Sequence, residues 1–367
     1  MKKVNKIYFL LPGIEINEKR ECCPVGGYKV VYEYANMFAA AGYDVVIAYS
    51  HARCHYTSPW KYIYSFTGYC YRRLRGQLQG GKYFNFHKNV RKKYCYRFSL
   101  PWLNLNSNDI VVATAYDTAV ELNFVKRVPN ERKCYLIQDH ELWTASSEQL
   151  AESYNYGMHN IVIAPWLKHK VEESGAQAIC ITNGFNFDEF KLSRDIDSRD
   201  RYNIVMMNHI LDHKRCIDAW AALDIVKKAI PELHVTMFGT YPFPTDLPEW
   251  YEYHENPTKQ ELNDVYNSGA IYVAASDFEG FGLTIGEAMI CGCAVVCTNN
   301  GGFTCMAKDG ETALVSDVYN VEALAENIKR LILDDNLRVK IAKSGNNYIH
   351  SFTWESSFRK MKSILGL

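Results

Sequence analysis

Two carboxylates stand eight positions apart in the string Ser276-Asp277-Phe278-Glu279-Gly280-Phe281-Gly282-Leu283-Thr284-Ile285-Gly286-Glu287-Ala288-Met289. A glycine–aromatic–glycine turn lies between Glu279 and Glu287. An apolar run precedes the string, and small residues followed by a second apolar run (Ala294 to Thr298) come after it. The pattern reads as strand, tight turn, helix start, strand. A helix N-terminus presents backbone N–H groups and a partial positive charge, so it suits a phosphate. Gly280 and Gly282 let a ligand approach the backbone closely. A carboxylate at each end can accept hydrogen bonds from sugar or ribose hydroxyls. The segment therefore points to a site for a sugar nucleotide. Thr284-Ile285-Gly286-Glu287 also has the form of a capping box, in which Thr and Glu satisfy the first N–H groups of a helix. For Glu287 the cap and the ligand readings both stand.

The full string resembles the retaining glycosyltransferases of the GT-B fold, the group 1 or family 4 type that builds bacterial wall, capsule and lipopolysaccharide glycans. The matching residues are Glu279-Gly280-Phe281-Gly282, Glu287-Ala288-Met289, Gly292, Val295-Val296 and Gly301-Gly302. Ala294 stands where the family usually has proline. The resemblance implies that Glu279 lies near the donor sugar and that Glu287 binds the ribose. The backbone from Gly280 through Phe281, Gly282 and Leu283 to Thr284 then faces sugar and diphosphate.

His209-Ile210-Leu211-Asp212-His213-Lys214-Arg215 follows another apolar run. The family carries an arginine at the first of these positions and a lysine five residues on, both holding the donor diphosphate. Lys214 keeps its place and the arginine position reads His209. Lysine stabilises a leaving phosphate as a point charge, whereas a neutral histidine only donates a hydrogen bond. Arg215, one position on, is a candidate for the missing charge. Lys214 also has an ordinary reading as an exposed helix-start lysine.

Gly26-Gly27 precedes a helical pattern and matches a Gly-Gly that opens toward donor phosphates in the family. Two glycines alone are a weak signal. Ile137-Gln138-Asp139-His140-Glu141 gathers ionisable side chains at a strand end, where α/β folds keep active groups. Many family members have a histidine near here that touches the donor sugar; the register puts that place on Gln138 or Asp139. Gln138, Asp139, Glu141 and Trp143 resemble the branch with bacterial rhamnosyltransferases. A loop-bonding cluster is the plainer alternative. Asp195-Ile196-Asp197 mimics a metal motif of another glycosyltransferase fold, but it sits in a charged stretch and reads as solvated. No catalytic metal and no cofactor are expected.

The elements that position these residues follow from periodicity. Lys6–Leu11 reads as a strand, Tyr28–Ala41 as a helix ending at Gly42, and Asp44–Tyr49 as the next strand, a parallel βαβ unit. Further strands are expected at 109–113, 133–138, 160–164 and 178–181. A second alternation has strands at 202–207, 233–239, 270–275 and 294–298. Its helices are expected at about 214–229, 321–333 and 336–348. Short strands joined by helices, twice, predict an α/β protein. The GT-B resemblance makes this two doubly wound Rossmann-like domains facing across a cleft. The expected division is 1–187 for an acceptor-side domain, 188–201 for a linker, 202–349 for the nucleotide-sugar domain, and 350–367 for a helix crossing back.

Composition narrows the rest. A chain of 367 residues, 48% hydrophobic, has material for two cores. Its twelve cysteines form no paired CxxC sets, and Cys22-Cys23 and Cys291-x-Cys293 read as reduced thiols of a cytoplasmic protein. No signal peptide and no run near the roughly 20 apolar residues of a membrane span are seen. The net charge of zero hides an asymmetry, because Val45 to Asn108 holds eleven Lys and Arg and no acid. Within it, residues 51–102 form an insert dense in Tyr, Trp and Arg, including Trp60, Tyr64, Tyr71, Arg72, Arg73 and Arg75. Such a mixture suits an anionic membrane surface. It also permits single-stranded nucleic acid, which would show as salt-dependent oligonucleotide binding through 53–97; a structural aromatic cluster under a solvated basic face is the third reading. Nucleic acid is not the expected partner.

The sequence thus predicts a retaining hexosyl- or deoxyhexosyltransferase, peripheral on the inner face of the plasma membrane. It would take a nucleotide sugar and a glycan or polyprenyl-pyrophosphate-linked acceptor. Lys214, Glu279 and Asp139 are the catalytic candidates. Glu287, Gly280 to Thr284, His209, Arg215, Gly26 and Gly27 are the donor-binding ones. The alternative is a non-catalytic sugar-nucleotide- or glycan-binding subunit of a glycan assembly system.

Overall fold

The structure is a computed structural model that describes residues 6–14, 25–51, 59–97, 103–242 and 247–367. The chain divides into two compact units, Met1–Thr182 with Glu355–Leu367, and Asn183–Trp354.

The first unit begins as the periodicity predicts, with strand β1 (Ile7–Leu11), helix α1 (Gly26–Ala40) and strand β2 (Val45–Ser50). Helix α2 (Pro59–Leu74) and strand β3 (Val90–Cys95) follow. Then come β4 (Ile110–Ala113), α3 (Tyr116–Asn123), β5 (Lys133–Ile137), α4 (Ser147–Tyr154), β6 (His159–Val162), α5 (Pro165–Glu173) and β7 (Ala178–Cys180). All seven strands pair in parallel in the order β3-β2-β1-β4-β5-β6-β7. Every residue of β1, β2, β4 and β5 is buried. That is why these strands read as unbroken apolar runs rather than alternating ones. The basic insert supplies β3, the edge strand of this sheet. Arg91, Lys92 and Lys93 lie on that edge, where charge deters pairing with another chain. The same charges hid β3 from an apolar-run reading.

The second unit contains β8 (Asn203–Asn208), α6 (Cys216–Ala229), β9 (His234–Gly239), β10 (Tyr251–Glu255), α7 (Lys259–Ser268), β11 (Ile271–Ala274), α8 (Leu283–Ile290), β12 (Ala294–Thr298), β13 (Ala313–Ser316), α9 (Val321–Leu333) and α10 (Asp335–Ile349). Six parallel strands run in the order β10-β9-β8-β11-β12-β13. Their core holds Ile204, Met206, Val235, Ile271, Val273 and Val296, under Leu223 of α6 and Ile328 of α9. Each such side chain contributes about 1.5–3 kcal/mol by leaving water. Strands β10 and β13 escape a periodicity reading; β10 alternates with charge.

Two boundaries differ from expectation. Residues 188–201, read as a connector, are fastened to the second unit. Ile196 is buried in its core, and the buried Arg199 guanidinium donates to the carbonyls of Gly269 (2.8 Å) and Cys291. Asp197, of the Asp195–Asp197 pair, meets Lys343 at 2.6 Å. At the other end, α11 (Trp354–Ile364) belongs from Glu355 onward to the first unit. There Phe358 packs edge-on against Phe38 at 4.8 Å, and the Ser357 hydroxyl donates to the Thr182 carbonyl at 2.7 Å. Cys291 and Cys293 are buried free thiols; Cys22 and Cys23 lie outside the described residues.

Candidate functional site

In each sheet the strand order reverses once, between β1 and β4 in the first unit and between β8 and β11 in the second. At such a switch point the loops leaving neighbouring strands run in opposite directions and open a crevice at the strands' carboxyl ends. The strongest sequence candidates of the second unit lie there. His209 to Lys214 leave β8, and Ser276 to Gly282 leave β11.

The two loops are latched. The Asp277 N–H donates to the His213 carbonyl at 3.0 Å. Lys214 Nζ meets Glu279 Oε1 at 2.7 Å, with both side chains less than one-fifth exposed. Ser276 Oγ donates to the same carboxylate oxygen at 2.9 Å. The Ser276 carbonyl in turn accepts from Thr298 Oγ1 and, at 2.8 Å, from Asn300 Nδ2 beyond β12. A Cβ on Gly302 would stand 2.5 Å from the Glu279 carbonyl oxygen and 2.7 Å from its Cβ. Glycine at 302 thus lets the Glu279 turn sit down on the β12 loop. Met207, Lys214, Cys216, Tyr272, Ser276 and Thr284 line one small cavity, so the two strand ends and the start of α8 enclose a common space.

Gly282 is the N-cap of α8, with φ +88°, a left-handed conformation that glycine adopts without cost. A Cβ there would also meet the Phe303 ring at 2.5 Å. No side chain caps this helix and its first turn holds no acid. This corrects the capping-box reading: Thr284 is the second helical residue and Glu287 the fifth. Glu287 is oriented instead by Tyr266, whose hydroxyl donates to its Oε2 at 3.1 Å. The Phe281 side chain is buried between Phe185 and Phe352, with ring centroids 6.1 and 6.2 Å away. Phe281 therefore anchors the turn from beneath, leaving only its backbone to face a ligand.

His209 and Arg215 have distinct settings. His209 Nδ1 accepts the Leu211 N–H at 3.1 Å, which leaves the proton of the neutral ring on Nε2. Burial, with Lys214 and His213 nearby, pushes its imidazole down to about 4. The ring lies edge-on to Tyr241 at 5.4 Å. Arg215 adopts φ +47° and forks onto Asp218 at 2.7 and 2.8 Å. Its guanidinium lies 5.1 Å from the Tyr319 ring centroid, and Tyr319 donates to Asp277. The expected helix start also shifts: Lys214 ends a short 3₁₀ turn, Asp212–Lys214, and α6 begins at Cys216.

A second cluster lies in the first unit. Helix α1 starts at Gly26, two residues earlier than periodicity suggests, with no side-chain cap. A Cβ on Gly27 would touch Gln138 Oε1 at 3.4 Å, so the glycine helix start and the end of β5 are neighbours. Asp139 Oδ1 accepts the His140 N–H at 2.9 Å, and His140 Nδ1 lies 3.0 Å from the Tyr154 hydroxyl. Glu141 Oε1 accepts the N–H of Tyr116, the first residue of α3, at 2.9 Å. Burial pushes the Glu141 carboxyl up to about 8; Asp117 and Asp139 add to this, while the Tyr116 N–H works against it.

Spacing did not flag Ser276, Tyr266 or Asn300 as site residues. Tyr266 is 21 positions from its partner and Asn300 is 24 from the carbonyl it holds, so no local period links them.

Residues 188–348 match the family described as Glycosyl transferases group 1. Among curated relatives, the D-inositol 3-phosphate glycosyltransferase of Corynebacterium jeikeium (strain K411) is 33% identical over 105 residues, 29% of this chain and 25% of that one. The O-antigen chain mannosyltransferase B of Escherichia coli is 33% identical over 107 residues, 29% of this chain and 28% of that one. The matched stretch thus spans about a quarter of either relative. Among solved structures, Anabaena HepE in complex with UDP and glucose superposes with a TM-score of 0.71 at 16% identity, covering 98% of this chain and 99% of that one. The rhamnosyltransferase branch has no separate support among these likenesses. Residues 188–348, which hold Lys214, Glu279, the Gly280–Thr284 turn and Glu287, thus match the group 1 glycosyltransferase model, and the chain has the GT-B fold.

Proposed function

We propose that the protein transfers a hexosyl or deoxyhexosyl group from a nucleotide sugar to a glycan or polyprenyl-pyrophosphate-linked acceptor, with retention of configuration. The observation that carries this reading is the uncapped start of α8 beside the Lys214–Glu279 pair at the β8/β11 switch point. An uncapped helix start attracts a diphosphate. Glu287, oriented by Tyr266, is placed to accept from ribose hydroxyls. In the reaction the bond from the sugar C1 to the diphosphate oxygen breaks, the acceptor oxygen bonds to C1, and the acceptor proton passes to the leaving diphosphate oxygen. Charge builds on the leaving diphosphate, and Lys214 with the α8 N–H groups stabilises it. The reading places no metal ion in this step. Glu279 holds Lys214 in position and faces the sugar. A glycosidase-type pair of carboxylates is not invoked, because both glutamates serve the donor. Asp139 is retained as the remaining catalytic candidate. Two likenesses support the substrate class: HepE was solved with UDP and glucose, and the E. coli relative acts on O-antigen chains.

A non-catalytic sugar-nucleotide-binding subunit is favoured by a separate observation. The family's arginine position holds a neutral His209, and Arg215 is committed to Asp218. A panel of nucleotide sugars incubated with the full chain separates the two readings. Turnover of one donor, with loss of its calorimetric binding in Glu287→Ala, is expected. Binding without turnover of any donor would establish the subunit reading, and unchanged binding in Glu287→Ala would remove Glu287 from the donor site.

A further inference from the structure

We propose that α2 is an interfacial anchor that lays its outward face into the headgroup layer of an anionic bilayer. Surface helices ordinarily turn their apolar stripe inward. Helix α2 does the reverse. Its buried residues are Ser65 and Tyr69, whereas Trp60, Tyr64 and Leu74 are each more than three-quarters exposed, and Ile63 and Tyr71 more than half. Positions 60, 63, 64, 67, 71 and 74 recur every three or four residues and fall within roughly 100° of the helix circumference. The stripe is therefore one continuous face, roughly 21 Å long.

The inner side explains why the helix stays on the fold without burying this stripe. Tyr69 donates to the Tyr94 carbonyl of β3 at 2.8 Å, and Arg73 Nη1 donates to Tyr69 Oη at 2.6 Å. Arg72 lies 2.6 Å from His51 Nε2. These polar bonds hold α2 against the sheet edge over an aromatic cavity of about 760 Å³, lined in part by Phe66, Arg73, Lys92, Lys93 and Tyr94. Outside, Lys61 and Arg75 flank the stripe, and the Arg75 guanidinium stacks 5.0 Å from the Tyr71 ring centroid.

Charge selects the occupant. From Val45 to Asn108 there are eleven Lys and Arg and no Asp or Glu, so nothing in this segment repels an anionic surface. Tyr and Trp favour the layer between water and acyl chain, and flanking cations attract anionic headgroups. Among the described residues no helix is long and apolar enough to cross a membrane, so the stripe fits a helix lying in the interface. The inference extends the lipid-linked acceptor reading and rests on it for the choice of surface. Vesicle binding and donor turnover are separate readouts, so either can fail while the other stands.

The test is sedimentation of the full chain with sucrose-loaded vesicles of phosphatidylcholine alone or mixed with phosphatidylglycerol. The chain is expected to pellet with anionic vesicles, weakening as salt rises. The triple variant Trp60→Ser/Tyr64→Ser/Leu74→Ser should lose at least about tenfold in partitioning. Lys61→Glu/Arg75→Glu should abolish the preference for anionic lipid. These side chains are exposed, and unchanged melting temperatures would confirm that the variants fold. Equal pelleting with neutral and anionic vesicles overturns the proposal. So does full anionic binding by the triple variant, a self-association of the wild type that the triple variant removes, or displacement from vesicles by a short oligonucleotide at low salt.

Discussion

The two units meet the same problem, placing ionisable groups at a strand end, in opposite ways. In the second unit charge is kept and balanced: Lys214 and Glu279 form a close pair, and Ser276 adds a hydrogen bond to the carboxylate. In the first, charge is removed. Glu141 sits beside Asp117 and Asp139 with burial holding its carboxyl protonated up to about pH 8. The proposed diphosphate site needs a cation, and Lys214 stands there beside Glu279. A crowded group of three acids lowers its energy by keeping one proton. His209 sits between these cases: it lies in the charged site, yet burial and Lys214 keep it neutral. A position where a cation is expected therefore offers only an Nε2–H.

Removing the balanced cation should have the largest effect. Lys214→Ala is expected to lower turnover of the donor found in the panel by about 10²–10³-fold, about 2.7–4 kcal/mol of lost leaving-group stabilisation. Single-turnover rates at saturating donor measure this, and a loss below tenfold would show that Lys214 only packs against Glu279. The neutral carboxyl gives a smaller and pH-dependent effect. Its folded pKa, about 8, lies above the unfolded value of 4.5, so its stabilisation is full below pH 4.5 and is lost as pH rises through 8. Between pH 6 and 8 that loss is about 2 kcal/mol. Glu141→Gln keeps an acceptor for the Tyr116 N–H and should flatten this decline in denaturant titrations. An unchanged pH slope would mean that Glu141 is ionised in the folded protein and that the contrast between the units fails. The smallest effect is expected at His209. His209→Gln preserves a neutral donor and should change turnover by less than about tenfold. A larger loss, with an imidazole NMR titration midpoint near the ordinary 6.5, would place a second cation in the donor site.

Much of the fold was legible because fully buried parallel strands are written as apolar runs. β12 and α9 begin and end where periodicity put them. Three of the four edge strands, β3, β10 and β13, were not, whereas β7 was; β3 carries Arg91, Lys92 and Lys93, because an edge is half solvated and tolerates charge. The 188–201 stretch misled for a related reason. Its Asp and Arg residues read as solvated, but both terminal nitrogens of Arg199 donate to buried carbonyls, which offsets much of the cost of burying a guanidinium. At the site, the glycine turn and the start of α8 were legible from Gly280 and Gly282. The helix cap was not: the capping box suggested Thr284, whereas Gly282 takes that position with φ +88°.

Sequence alone determined what depends on neighbours along the chain: the turn between β11 and α8, the identity of Lys214, Glu279 and Glu287, and the concentration of cations and aromatics in residues 51–102. Tertiary structure decided what depends on partners far along the chain. The reversal between β8 and β11 brings residues 65 positions apart into the Lys214–Glu279 pair, and Tyr266 reaches Glu287. It also set which face of α2 meets water, because the helical period fixes that Trp60, Tyr64, Tyr71 and Leu74 share a face, while bonds such as those of Tyr69 and Arg73 to the sheet edge turn that face outward. Backbone periodicity is a local property, set by the nearest residues. Strand order and helix orientation are settled by contacts over the whole chain, and no short window of sequence contains that sum.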